Sequence, residues 1–476
     1  MYDYDLIVRD AQVVNPDGIT KTNIFIKDGK VRQLDEVLPL ALLHGRLHDA
    51  DGQGVYVLPG IVDAHVHFRV GQPQKATFAT ESMAALAGGI TTVGDMPNAW
   101  PTLNTELSLR TKLKRIGDTS YVDYFLYGLG QGIYNSGQLK KLAEAGVGDF
   151  KLFLGYGYDD VKGILIHNYK KGMAGVISPP TKGELLAMCL KMKALGITLS
   201  VHAEHTGIIA DLTNRINARP WRKWPNDYEK LLASRSHSAE TGAISYCLEV
   251  AEKTGVKMNI CHVSTARGVE MIARAKRRDL DITAEASPHY LFFTNRDFDK
   301  LGPLLKCFPL IKQKEDRAAL WEGLRDGTID SIGSDHAPHA WEEKYAGGDL
   351  SKSQGGIIEV QTMLPMMLDA ANRGQITLPE LAKLMSANPA KIHNLHPQKG
   401  AIEPGADADF VIVDMDAKHR IKNEELHNLN KISPYDGLYV RGKVRDVFKD
   451  GALMVKDGRV VKNASQSGRW LQTRSR

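Results

Sequence analysis

The chain has 476 residues, 43% hydrophobic and 25% charged, the composition of a globular protein with a sizeable core and not of a disordered or fibrous one. Its 61 basic and 56 acidic side chains leave a formal charge of +5 and are scattered, so neither nucleic acid nor a membrane surface is expected as a partner. Four cysteines (Cys189, Cys247, Cys261, Cys307), none in a C-x-x-C pair, exclude a disulfide framework and a thiolate zinc site.

The opening residues, MYDYDLIVRD, lack the basic and apolar regions of a signal peptide, and no apolar run is long enough to span a bilayer, so a cytoplasmic protein is expected. Residues 1–58 read as short strands: Leu6-Ile7-Val8, Val13-Val14, and Ile24-Phe25-Ile26 before the hairpin signal Asp28-Gly29. Residues 397–476 repeat that texture, with strands over 410–413, 444–448 and 452–455 and a second Asp-Gly turn at Asp457-Gly458. The two ends are therefore expected to build one small β-sandwich domain. Between them, residues 59–396 alternate short apolar runs (90–93, 150–154, 198–201, 257–260, 282–283, 331–332) with helical stretches such as 184–195 and 317–324. This α/β pattern, at about 39 residues per unit, predicts a (β/α)8 barrel. A doubly wound sheet would want a Gly-rich phosphate loop after its first strand, and none is present. Trp221, Trp224 and Pro225 mark a longer insertion, Ser238 reads as a helix cap, Lys276-Arg277-Arg278 as a solvated helix end, and Met363, Met366 and Met367 as packing residues.

His65 and His67 stand at i and i+2, on one face of a strand, so both imidazoles can reach a single ion. Later strand ends carry Lys151, His202, His262 and Asp335, each just past an apolar run, where barrel active sites are assembled. An amine inside a barrel is costly unless its charge is neutralised or used. A carbamate formed on Lys151 would offer two bridging oxygens; a salt bridge to Asp95 or Asp335 is the plainer alternative. With the carbamate, these six residues could hold two divalent ions about 3.5 to 4 Å apart around a shared hydroxide.

In this order and on this strand texture, His65-Val66-His67, Lys151, His202, His262 and Asp335 resemble the amidohydrolase superfamily, in its cyclic amidohydrolase branch of dihydroorotases, allantoinases, hydantoinases and dihydropyrimidinases. The resemblance spans essentially the whole chain. It implies that His65, His67 and Asp335 bind one ion and His202 and His262 the other, with N6-carboxylated Lys151 bridging them and zinc the usual metal. It further implies that the bridging hydroxide opens a ring amide of a small cyclic amide or ureide, with Asp335 moving the proton to the leaving nitrogen, and that the protein is a homodimer or homotetramer.

The motifs that would choose the ring disagree. His67-Phe68-Arg69 with Asp95-Met96-Pro97-Asn98 is similar to dihydroorotases, in which that Arg and Asn grip a substrate carboxylate; His289 in Ser287-Pro288-His289-Tyr290 is the matching histidine, and Ser334-Asp335-His336-Ala337-Pro338-His339 adds His339. Tyr156, five residues after Lys151, instead resembles the hydantoinase and dihydropyrimidinase tyrosine that hydrogen-bonds the forming oxyanion. Lys306 to Lys312 and Ser353-Gln354-Gly355-Gly356 also depart from dihydroorotase substrate loops, and Lys431 to Gly437 looks like allantoinases and hydantoinases. Two other readings compete: a mononuclear deaminase on the same barrel, with Glu204 two residues beyond His202 as a faint match to its general acid, and a catalytically inactive, family-derived assembly protein.

Overall fold

Residues 59–396 alternate parallel strands with helices, as their sequence pattern dictates. The strands Ile61–Val66, Ile90–Asp95 and Asp123–Leu126 pair in that order, and Gly128–Leu129, Asp149–Leu154, Thr198–Ala203, Met258–Ile260, Ile282–Ala286 and Ser331–Ile332 pair in a second run, every ladder parallel. The structure is a computed structural model that describes residues 2–37, 43–159, 161–162, 164–166 and 169–473. Met1 and residues 474–476, the extremes of the expected terminal domain, lie outside the described residues.

Several of these strands are buried along their whole length, which is why they read as unbroken apolar runs without alternation. The two runs share one stretch of chain. Tyr127 N donates to Asp95 O at 3.1 Å on one side, and Gly130 N donates to Lys151 O at 2.8 Å on the other. At the far end Val66 bridges His336, and His67 N donates to His336 O at 2.8 Å, so the segment after the last strand meets the end of the first. Helices Phe78–Ala87 and Lys182–Ala194 open on capping boxes from Thr77 and Thr181, which satisfy their free amides. Helix His237–Thr254 begins at Ser236; Ser238, the expected cap, lies inside it and bonds back to the Ser236 hydroxyl at 2.8 Å.

The chain ends share one sheet of nine strands. Val55–Pro59 joins its halves, lying antiparallel to Phe410–Arg420 and bridging to Tyr2–Asn15 through Val13 and Val57. The Asp-Gly pairs turn as expected, with φ of +52° and +70° at Asp28 and Gly29 and +51° and +76° at Asp457 and Gly458, the left-handed values that favour this dipeptide. No helix among the described residues is long and apolar enough to cross a membrane.

A buried ionic network ties this sheet to the parallel strands. Lys399 Nζ lies 2.6 Å from Asp123, 2.7 Å from Asp409 and 2.9 Å from Asp407, and Lys449 Nζ lies 2.9 Å from the other Asp123 oxygen. Removing a cation from such a network strands buried carboxylates. Lys399→Met is therefore expected to cost about 3–5 kcal/mol, read from the urea midpoint, and a loss below about 1 kcal/mol would contradict a structural role for the network.

Candidate metal centre and substrate cavity

Strand geometry brings the expected ligands to one end of the parallel strands. His65 and His67 share a strand face, so both Nε2 atoms reach Asp335 Oδ1, at 3.2 Å and 3.1 Å. The ligand atoms of these three buried residues lie within 4.8 Å of one another, a spacing that fits one cation. Beside them, His202 Nδ1 and His262 Nε2 face each other at 3.1 Å. Lys151 Nζ is buried with no hydrogen-bond partner. The salt-bridge alternative for it fails, because Asp95 is engaged by Lys112 at 2.7 Å and Asp335 by the two histidines. Converging imidazole nitrogens, a carboxylate and an orphaned amine are a donor set that fits divalent ions.

Three of the histidines are oriented from behind, and sequence reasoning missed most of these supports. Glu285 Oε1 lies 2.6 Å from His65 Nδ1, Asn98 Oδ1 lies 2.6 Å from His67 Nδ1, and Glu204 Oε2 lies 3.1 Å from His202 Nε2. A carboxylate inside the apolar strand Ile282–Ala286 was the available signal for Glu285, and the i, i+2 spacing from His202 was the signal for Glu204.

Charge follows this geometry. Burial and Lys151 oppose charge on His65, but Glu285 and Asp335 outweigh them and raise its pKa to about 10. Burial lowers His67 to about 4 and pushes His202 and His262 below the ordinary imidazole value. Burial works against the charge of Asp335 as well, yet its histidine neighbours hold its carboxyl well below the usual range.

A cavity of about 440 Å³ opens over these residues. One wall is apolar, with Phe153, Leu165 and Phe308; another carries Arg69, Gln72, Lys75 and His339. Tyr156 lines the cavity with its ring centroid 5.0 Å from that of His202, and burial raises its phenol so that it keeps its proton. The expected carboxylate grip is only partly assembled. Arg69 and His339 line the cavity, 3.3 Å apart, with Arg69 Nε also 3.3 Å from Pro338 O. Asn98 lines the cavity as well, with its amide oxygen 2.6 Å from His67 Nδ1. His289 needs correcting: it is fully buried, outside the cavity lining, because Glu359 holds its Nδ1 at 2.8 Å.

The chain's comparisons agree with this architecture. The amidohydrolase family model matches residues 56–454. The chain is 32% identical over 467 residues to an L-hydantoinase of Paenarthrobacter aurescens, covering 96% of each chain, and 35% identical over 475 residues to an allantoinase of Rubrobacter xylanophilus, covering 98% of each. A solved L-hydantoinase (dihydropyrimidinase) from Arthrobacter aurescens superposes with a TM-score of 0.90 at 32% identity, over 98% of this chain and 100% of that one. The chain belongs to the amidohydrolase family.

The opposed histidine shifts predict how the ion-free protein responds to pH. His65, raised, contributes stability that is full below its unfolded value of about 6.5 and is lost as pH rises toward about 10. His67, lowered, contributes stability that is present above about 6.5 and is lost as pH falls toward about 4. The urea midpoint of the chelated protein should therefore peak near neutrality and fall on both sides, with His65→Gln flattening the alkaline limb; a pH-independent midpoint would refute the assignment.

Proposed function

We propose that the protein hydrolyses the ring amide bond of an uncharged cyclic ureide of the hydantoin or allantoin type, at a binuclear centre held by His65, His67, Lys151, His202, His262 and Asp335. The observation that carries this reading is Lys151: an amine with no exposed surface and no hydrogen-bond partner, beside two sets of converging ligand atoms. Carboxylation would turn that costly cation into an anionic bridge, and zinc suits the nitrogen and oxygen donors.

Divalent ions held by these residues would polarise the amide carbonyl and make the attacking water more acidic. The chain's own residues do the rest. Asp335, held ionised, accepts the proton of the attacking water and returns it to the leaving ring nitrogen. Tyr156 keeps its proton through burial and donates a hydrogen bond to the carbonyl oxygen as negative charge develops there. Phe153, Phe308 and Leu165 exclude water from the ring. Arg69 braces the cavity mouth through Pro338 and His339. A carboxylated ring such as dihydroorotate is disfavoured because His289, the histidine of that grip, is buried outside the cavity lining. The deaminase reading is disfavoured because Glu204 is ion-paired with Arg235.

The shared nine-stranded sheet supports one terminal β domain of residues 1–58 and 397–476, and the His67 to His336 bond supports closure of residues 59–396 into a (β/α)8 barrel. Four free, buried cysteines suit a reducing cytoplasm, and a homodimer or homotetramer is the assembly we propose.

Two experiments test the assignment. The zinc-loaded protein in bicarbonate should open hydantoin, 5-substituted hydantoins or allantoin and leave dihydroorotate intact; turnover of dihydroorotate alone, abolished by Arg69→Ala, would replace the assignment with a carboxylate clamp. Tyr156→Phe should lower kcat by about 10²-fold or more with KM little changed, measured by steady-state kinetics on the best ring of the panel. An unchanged kcat would remove Tyr156 from the mechanism.

A further inference from the structure

His202 is oriented by a longer chain of contacts than the other ligands. Its Nε2 lies 3.1 Å from Glu204 Oε2, and that same oxygen accepts a hydrogen bond from Arg235 Nη1. All three residues are buried, at 2%, 2% and 6% exposure, so the Glu204 charge has no water to fall back on. Arg235 follows helix Asp227–Ser234, in the insertion beyond strand Thr198–Ala203. Its guanidinium lies 4.0 Å from the centroid of the Phe308 ring. Phe308 in turn lines the cavity and packs beneath Gly355, where a Cβ would sit 2.7 Å from Phe308 Cδ2.

These contacts have a consequence for the second ion. An imidazole that donates Nε2–H to Glu204 must present an unprotonated Nδ1, the atom that faces His262 Nε2. Without Arg235, Glu204 loses the ion pair that fixes its Oε2 beside His202, and its rotation removes the constraint on the His202 ring. His65 and His67 take their orientation from Glu285 and Asn98, so the disturbance is confined to His202 and His262.

We infer that Arg235 is a positioning residue which, through Glu204, sets the affinity of the ion at His202 and His262 and connects it to the Phe308 wall of the cavity. This inference rests on the two-ion reading above. The full-length protein is loaded with zinc in bicarbonate and titrated with chelator, and zinc per chain is counted by elemental analysis for the wild type, Arg235→Met, Arg235→Lys and Glu204→Gln, with circular dichroism recorded on each. The wild type is expected to hold two ions. Arg235→Met and Glu204→Gln should lose one ion at about 10–100-fold weaker chelation while keeping the other at wild-type affinity, and Arg235→Lys, which keeps the charge without the fork, should fall between. The kcat of Arg235→Met should recover in excess zinc. Wild-type retention of both ions in a folded Arg235→Met, or parallel loss of both, overturns the inference. Should the methionine variant fail to fold, wild-type affinity for both ions in a folded Glu204→Gln overturns it equally. A wild type that holds a single ion fails at the two-ion reading, before any variant is compared.

Discussion

Asp335 Oδ1 stands between His65 Nε2 and His67 Nε2, and that contact joins the end of the last parallel strand to the first. Everything else in the site is arranged around keeping an anion there. Three of the residues concerned, Asp335, His262 and Arg69, have left-handed φ values of +49°, +37° and +54°, unusual for side chains with a Cβ. Such conformations cost free energy and persist only where the surroundings over-determine them. Here the surroundings are the strand ladders below and the hydrogen-bonded carboxylates behind.

Parallel strands make this possible because both of their faces are covered and their ends converge. A histidine placed there loses water, and burial alone would make all four imidazoles neutral. Three of them are neutral for that reason, whereas the two carboxylates beside His65 reverse the sign for that ring. Those two carboxylates, and the unpartnered amine of Lys151, surround the one imidazole whose charge the site favours.

How much of this was legible in the sequence depended on the range of the interaction. The strand runs, the Asp-Gly turns and the ligand order could be read, because apolar period, turn chemistry and position past a strand are local properties. The pairing of the chain ends was legible only as a likeness of texture, since the ladder between Val55–Pro59 and Phe410–Arg420 joins segments about 350 residues apart. Supports such as Arg235 and Lys399 were invisible, because a charged side chain in a sequence carries no sign of which distant charge it meets. His289 shows the reverse error: a residue that matched a motif locally is turned away by Glu359, which comes from a segment 70 residues later.

The same long-range logic explains why two departures from the dihydroorotase pattern occur together. Lys306 Nζ donates to Leu350 O at 2.7 Å and to Ser353 O at 2.5 Å, and Lys344 Nζ donates to Lys306 O and Gly356 O, both at 2.6 Å. Both amines are buried and bonded to carbonyls, and burial lowers them to about 8 and about 7. Gly356 completes the unit: a Cβ there would lie 2.3 Å from Ala337 O, so the loop approaches too closely for any other residue. The segment beginning at Lys306 and the segment ending at Gly356 are therefore two halves of one wall. A change in either alone would leave a buried amine without its carbonyls or a carbonyl without its donor, so the two segments are tied to change together.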